Sequence, residues 1–170
     1  MDTFLEKLVT KRRTINDTLI TFGILLAGII LILVVLSIPL LNQLSLGLLL
    51  AAGVAYLMYR FVSARNVEYE YIVTNGDLDI DKIVSKRKRK RIFSASCKEF
   101  EILAKVSSNS FSQSVQSIKN RIDATSSINS PDAYFATLVY KGEKTVVIFE
   151  PDDRMLNNFK VFIPRKMFTT

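Results

Sequence analysis

The stretch "VEYEYIVTNGDLDI", residues 67–80, decides the fold of the second half of the chain. Apolar side chains occupy every second position from Val67 to Val73, which is the period of a strand with one buried face. Asn75-Gly76 then supplies a two-residue turn, because both residues tolerate a positive φ. The apolar alternation resumes after the turn, so the stretch predicts an antiparallel β-hairpin.

Acidic residues occupy alternate positions of the returning strand, at Asp77, Asp79 and Asp81. A D-x-D-x-D pattern also opens calcium-binding loops, but Lys82 stands where such a loop needs glycine and Lys88 where it needs glutamate. The sequence therefore favours the solvent face of a strand, and it places the acids where they can pair with the basic residues that follow.

Six consecutive basic residues are the candidate contact for a lipid or another partner: Lys86, Arg87, Lys88, Arg89, Lys90 and Arg91. Nucleic acid is disfavoured, because the run has no interleaved aromatic residue on which a base could stack. Two interpretations stay open. Beside an anionic membrane leaflet, each basic residue would gain on the order of 1 kcal/mol. Alternatively, the run is a solvated hairpin end, partly paired with the three aspartates.

Two long apolar segments precede this domain. Residues 18–41 carry no charge over 24 positions, which at about 1.5 Å per residue covers the roughly 30 Å hydrocarbon core of a bilayer. Residues 44–63 are uncharged up to Arg60, and only Asn42-Gln43, just after Pro39, separates the two segments. The pattern predicts a transmembrane helical hairpin over residues 18–63.

Basic residues flank this hairpin and are absent from its turn: Lys7, Lys11, Arg12, Arg13, Arg60 and Arg65. Because positive residues concentrate in cytoplasmic segments, both termini are expected in the cytoplasm, with the hairpin in the cell membrane. Residues 1–17 are expected to form a short amphipathic helix on the inner membrane surface. Residues 64–170 then form a cytoplasmic domain.

Small residues recur every four positions in both spans, at Gly23 and Ala27 in the first and at Gly47, Ala51 and Ala55 in the second. Such faces let helix backbones approach closely. The pattern is compatible with packing of the two spans on each other and with contact between copies of the chain.

The domain continues with a third strand over residues 91–96 and a short helical turn that leads into an extended segment over 97–106. Apolar residues at helical spacing then predict a helix that covers the sheet: Phe111, Val115, Ile118 and Ile122.

A second hairpin is predicted to turn at Lys141-Gly142, followed by a helix that begins near Pro151 and stops at Pro164. Its apolar stripe consists of Met155, Leu156, Phe159 and Phe162. The predicted fold class is a membrane α-helical hairpin followed by an α+β domain, in which a bent antiparallel sheet carries a C-terminal capping helix.

The composition argues against common catalytic chemistry. The chain has no histidine and one cysteine, Cys97, so a Ser-His-Asp triad, an ordinary zinc site and an internal disulfide are not expected. No catalytic, cofactor or metal site is predicted. The alternative is a membrane-bound enzyme that uses an acid pair, Asp152 with Asp153 or Asp79 with Asp81; adjacent acids more often cap helices or face solvent.

Two phrases, "YEYIVTNGDLDI" and "KRKRKRIF", resemble the opening of bacterial PH-like domains that follow paired membrane spans. The whole chain also resembles a family of small two-span membrane proteins of Gram-positive, largely clostridial bacteria, through "FEILAKV", "SPDAYF", "FEPDDRML" and "FIPRK". The resemblance implies a PH-like fold on a membrane anchor, and no activity is established for that family. The function expected is a non-enzymatic binding or scaffold module for anionic lipid, a protein partner or a second copy of the chain.

Overall fold

The helices and strands divide between two units in the computed structural model, which describes residues 3–43, 45–127 and 129–168, apart from the side chain of Asn42. One unit combines the chain up to Lys11 with the chain from Glu68 onward. The other unit is Arg12–Val67.

The smaller unit is helical and consists of α1 (Ile15–Ser37), α2 (Pro39–Gln43) and α3 (Leu46–Ser63). Helices α1 and α3 are long and apolar enough to cross a membrane. Helix α1 begins three residues before the predicted span, because Thr14 and Asp17 cap each other's backbone amides at its start. It ends before Pro39, whose preceding residue Ile38 is extended, as proline favours.

Small residues lie where α1 and α3 pack together. Gly28, Gly47 and Ala51 are buried, and the Met58 side chain fills the space beside Gly28. The prediction is confirmed for Gly47 and Ala51. The remaining three predicted positions are exposed: Gly23, Ala27 and Ala55. The helical phase that brings Met58 over Gly28 turns those three residues away from the contact.

Polar contacts join the beginning of α1 to the end of α3. Arg65 forms an ion pair with Asp17, and Arg13 Nη2 donates to Asn66 Oδ1 at 2.8 Å. These contacts link the two ends of the helical unit where its apolar surface stops.

In the larger unit, the residues that the structure describes form two sheets and three short helical elements. Sheet A has the order β1-β2-β3-β4, with β1 (Phe4–Thr10), β2 (Val67–Thr74), β3 (Asp77–Val84) and β4 (Lys88–Ser96). Sheet B has the order β6-β8-β7-β5-β9, with β5 (Ile102–Lys105), β6 (Asn120–Asp123), β7 (Tyr134–Tyr140), β8 (Glu143–Phe149) and β9 (Met167–Phe168). The helical elements are a 3-10 turn (Cys97–Glu99), α4 (Gln113–Gln116) and α5 (Asp153–Phe162).

The prediction of a single bent antiparallel sheet is wrong in two respects. The described strands form two sheets, and sheet B is mixed, because β6 pairs with β8 and β9 pairs with β5 in parallel. The two strands of a parallel pair are distant in sequence and are not joined by a tight turn, so no turn motif predicts their pairing.

Both predicted hairpin turns are confirmed. Asn75 and Gly76 have φ of 51° and 88°, and Lys141 and Gly142 have φ of 53° and 85°. Two consecutive positive φ values match the right-handed twist of the strands that such a turn joins.

The N-terminal segment is a strand, so the prediction of an amphipathic helix there is wrong. Strand β1 pairs antiparallel with β2, from Phe4 opposite Thr74 to Thr10 opposite Glu68. A short isolated helix is marginal in water, whereas β2 offers a full row of backbone partners.

The predicted helix over residues 111–122 is also largely wrong. Only α4 is helical there, and the chain then extends into β6, where it pairs with β8. Phe111, Val115 and Ile118 nevertheless pack on a buried cluster of sheet B, with the Phe111 and Phe135 rings 4.9 Å apart. The predicted covering is therefore present without the predicted helix.

Tyr71 connects the two sheets. Its hydroxyl donates to the Ala124 carbonyl at 2.6 Å and accepts from the Glu150 amide at 3.3 Å, and its ring meets the edge of Phe149. Burial raises the pKa of the Tyr71 hydroxyl, so it stays a neutral donor. Strand β1 adds a second link between the sheets, because Lys7 Nζ donates to the Glu150 carbonyl, just after β8, at 2.9 Å.

Helix α5 closes the core as its sequence predicts. Asp152 caps it by accepting from the Met155 amide at 2.8 Å, and Met155 and Phe159 are fully buried. The Phe159 ring lies 6.3 Å from the rings of Phe100 and Phe149, so this helix packs on β8 of sheet B and on the segment between the 3-10 turn and β5.

Candidate functional site

The basic run does not form a single feature. Lys86 and Arg87 lie in the turn between β3 and β4, where Ser85 and Lys86 both have φ of 55°. Strand β4 then begins at Lys88, three residues earlier than predicted. Four of the six cations therefore belong to a strand, and their alternation decides which way each one points.

A bulge in β4 fixes that alternation. The register with β3 shifts between Ile80 and Asp81, so that Ile80 lies opposite Phe93 while Asp81 lies opposite Arg91. The extra residue, Ile92, lets the strand bury Phe93 and still direct Arg91 toward the acidic face.

Arg91 is held by two aspartates. Its Nη1 lies 2.6 Å from Asp79 Oδ2, and its Nε donates to Asp81 Oδ1. The hydrogen bond to Asp81 raises the pKa of Arg91 further, so the guanidinium stays charged. Among the described residues Asp77 forms no ion pair, so the predicted pairing of acids with the run is confirmed for two of the three.

Arg89 pairs with Glu70 on β2. Its Nη2 donates to Glu70 Oε1 at 2.9 Å, while Nη1 lies 2.9 Å from Oε2 without the alignment of a hydrogen bond. Glu70 is only 4% exposed. Burial raises the pKa of this carboxyl, Arg89 opposes that rise, and neighbouring Glu6 adds to it.

The prediction that the aspartates of the returning strand face solvent is wrong for Asp81, and Glu70 on the neighbouring strand is buried as well. Both residues are 4% exposed. Arg89 and Arg91 cover them from β4, which a period-two pattern cannot reveal, because the pattern does not show whether an outer face is itself covered.

An open groove of about 350 Å³ lies beside the Ser85–Arg87 turn. Its lining combines two apolar residues with both signs of charge: Leu8, Glu68, Glu70, Ile83, Lys86, Arg87 and Arg89. The acidic side chains reduce the positive potential of this groove, so the outer face of sheet A is electrostatically mixed.

Lysines lie on the opposite face of the β3–β4 pair. Lys82 is directly opposite Lys90, and Val84 is opposite Lys88. In the part of the chain that the structure describes, none of these three lysines forms an ion pair. Sequence reasoning missed Lys82 because it lies outside the basic run. Its position two residues after Ile80 nevertheless predicts that both side chains lie on the same face of β3.

The alternative acid pairs have structural contacts. Asp152 caps α5 and pairs with Arg154 at 3.0 Å. Burial alone would raise the pKa of Asp152, but the Met155 amide and Arg154 outweigh burial and lower it.

Cys97 is buried, and burial raises the pKa of its thiol to about 11. Across residues 3–43, 45–127 and 129–168, no group of three or more His, Cys, Asp or Glu could hold a metal ion.

Comparison with known proteins gives one match. No curated protein and no solved structure matches the chain. One family model, described as "Bacterial PH-like domain", matches residues 1–169. That range includes strand β1, both long helices and the two sheets. The chain therefore belongs to the bacterial PH-like domain family (DUF6106).

Proposed function

We propose that this protein is a non-enzymatic binding module that α1 and α3 anchor in a bacterial cell membrane, and that its basic run, Lys86 to Arg91, brings it into contact with anionic lipid. The observation that carries the proposal is the β1–β2 ladder, in which the chain before α1 pairs with the chain after α3.

The surface of the helices supports a membrane anchor. In the most apolar 18-residue stretch of each helix, only 6% of the α1 stretch and 11% of the α3 stretch is buried. Phe22 is 64% exposed and Leu48 is 78% exposed. Exposing apolar area to water costs about 25 cal/mol per Å², whereas lipid chains solvate it well. A core helix of a water-soluble domain would bury these side chains.

The ladder supports a hairpin topology. Strands β1 and β2 share seven residue pairs, which requires both strands to lie on the same side of any membrane that α1 and α3 cross. The lysines and arginines of the flanking segments, together with their absence from residues 38–46, favour the cytoplasmic side.

Chain connectivity supports lipid contact near the basic turn. Because β2 and β3 form a hairpin, the Ser85–Arg87 turn lies at the end of sheet A where β1 ends and β2 begins. In the sequence, residues 11–14 connect β1 to α1 and residues 64–66 connect α3 to β2. An anionic bilayer attracts basic residues only within about a Debye length, roughly 8 Å at physiological salt.

Single-cysteine labelling of the full chain tests the anchor and its topology. In a Cys97→Ala background, Ser45→Cys reports the turn between the helices and Ser114→Cys reports the other unit; both positions are exposed. An impermeant maleimide added to intact cells should label only Ser45→Cys, and alkaline carbonate should leave the chain in the membrane. Release by carbonate, or equal labelling at both sites, would overturn the proposal.

The lipid contact needs the full chain as well, because a fragment from residue 64 onward lacks β1. We expect lysine acylation of the chain in lipid nanodiscs to slow when phosphatidylglycerol replaces half of the phosphatidylcholine. Unchanged acylation of every lysine in the larger unit would refute lipid contact and leave the anchor untouched.

A further inference from the structure

Successive side chains of β4 point to opposite faces of the sheet, so its arginines lie on one face and its lysines on the other. Arg89 and Arg91 lie on the face that carries the acidic side chains, and both are ion-paired. Successive residues of a strand point to opposite faces, so Lys88 and Lys90 lie on the other face. Both lysines are exposed.

Lys82 joins these two lysines from the neighbouring strand. It lies directly opposite Lys90, and directly opposed residues of an antiparallel pair share a face. The three residues Lys82, Lys88 and Lys90 are called the lysine strip below. The structure shows no ion pair to the strip from any residue that it describes.

Like charges that face each other across two strands repel and destabilise the pairing. On the arginine face of the same strands, carboxylates cancel the equivalent repulsion. No described residue supplies the strip with such a counter-charge, so an extended anionic surface that reaches all three ammonium groups at once would stabilise it.

We propose that the lysine strip, rather than Arg89 and Arg91, is the surface that contacts the anionic bilayer. This inference rests on the proposed function and assigns its residues. Lipid phosphates would compete with Glu70 and Asp81 for the arginines, and displacing these carboxylates would leave them buried without a partner. The lysines can turn to lipid without breaking an ion pair.

Residue-resolved acylation of the intact chain tests the assignment. The chain is compared in nanodiscs of phosphatidylcholine alone and of phosphatidylcholine with phosphatidylglycerol, and mass spectrometry resolves each lysine. Lys119 and Lys160, which are exposed elsewhere in the same unit, serve as internal controls. We expect acylation of the lysine strip to slow about tenfold in anionic discs, with the controls unchanged and the protection lost in high salt.

Further arms separate the possible sources of negative charge. Inorganic phosphate and a short DNA duplex are each added to phosphatidylcholine discs. Protection by either of these that matches or exceeds protection by phosphatidylglycerol would overturn the bilayer assignment. Protection by anionic lipid that falls on Lys86 alone would overturn the strip and leave the proposed function standing. No protection of any lysine would overturn both.

Two charge-matched variants test the same assignment by substitution. Lys82→Gln/Lys88→Gln/Lys90→Gln should abolish the slowing of Lys86 acylation in anionic discs. The matched variant Lys119→Gln/Lys160→Gln/Arg165→Gln removes the same charge from exposed positions and should retain that slowing. Loss of the slowing in both variants would mean that net charge alone attracts the domain, and retention in both would mean that the strip is not needed; either result would overturn the assignment.

Discussion

Replacing Arg89 by glutamine tests the ion pair that covers Glu70. The Glu70 side chain is 6% exposed and the Arg89 side chain is 57% exposed. Removing the partner of a fully buried charge costs roughly 3–5 kcal/mol. Water can reach the position that the guanidinium vacates, so we expect Arg89→Gln to lower the free energy of unfolding by about 2 kcal/mol near neutral pH. For a domain of this size, the melting temperature should fall by roughly 10 °C.

The loss should depend on pH in a defined direction. Burial raises the pKa of Glu70, Arg89 lowers it in part, and Glu6 and Asp81 raise it again. An acid with a raised folded pKa stabilises the fold most below its unfolded pKa, and that contribution disappears as pH rises through the folded value. Without Arg89 the pKa of Glu70 rises further, so the gap between wild type and variant should be wide at about pH 7.5 and nearly closed at about pH 4.

Thermal unfolding of the full chain in detergent, followed by the near-ultraviolet circular dichroism of its buried tyrosines, measures this gap. Arg154→Gln is the matched control, because Arg154 pairs with Asp152 at 3.0 Å but is 70% exposed. An exposed pair contributes about 0–1 kcal/mol, so the control should melt close to wild type. An equal loss for Arg89→Gln at both pH values, or an equally large loss in the control, would refute the reasoning.

Three further substitutions test the packing, each by thermal unfolding in detergent. Tyr71→Phe leaves two buried backbone groups without their partner and should cost about 2–4 kcal/mol. Gly76→Ala places a methyl group 2.8 Å from the Phe162 ring at a φ of 88°, and we expect a loss of about 2–3 kcal/mol. Gly28→Leu meets the Met58 side chain, so the helical unit should be destabilised by about 1–3 kcal/mol.

Each of these substitutions has a control within the chain. Tyr134→Phe changes a half-buried tyrosine, for which we expect a smaller loss than at Tyr71. Gly142→Ala keeps a φ of 85° but meets no atom within 4 Å, so it isolates the backbone strain of about 1 kcal/mol. Gly23→Leu likewise meets open space and should leave the stability of the helices unchanged. A control that equals its partner would contradict the contact on which that prediction rests.

The elements that the sequence predicted well are those with local causes. Asn75-Gly76 and Lys141-Gly142 tolerate positive φ, so each turn follows from two adjacent residues. Helix α5 follows from its Asp152 cap and its apolar spacing, and the two long apolar helices follow from length and absence of charge. None of these features needs a distant segment to define it.

The elements that the sequence missed depend on a distant partner. Strand β1 forms because β2, more than fifty residues away, offers an open edge, and β6 and β9 form on β8 and β5. Taken alone, each of these segments is equally compatible with a short helix or a loop. Their backbone hydrogen bonds are satisfied only after the rest of the sheet exists.

The basic run shows the same division. Its composition and its place after the first hairpin are properties of the sequence, and they indicated an anion contact or a solvated turn. Only the tertiary structure separated Arg89 and Arg91, which cover buried acids, from the exposed Lys88 and Lys90, and placed the half-buried Lys82 on the same face as these lysines. The physical reason is that one bulge and the pairing register set the direction of every side chain in the strand, and both depend on contacts that the run itself does not contain.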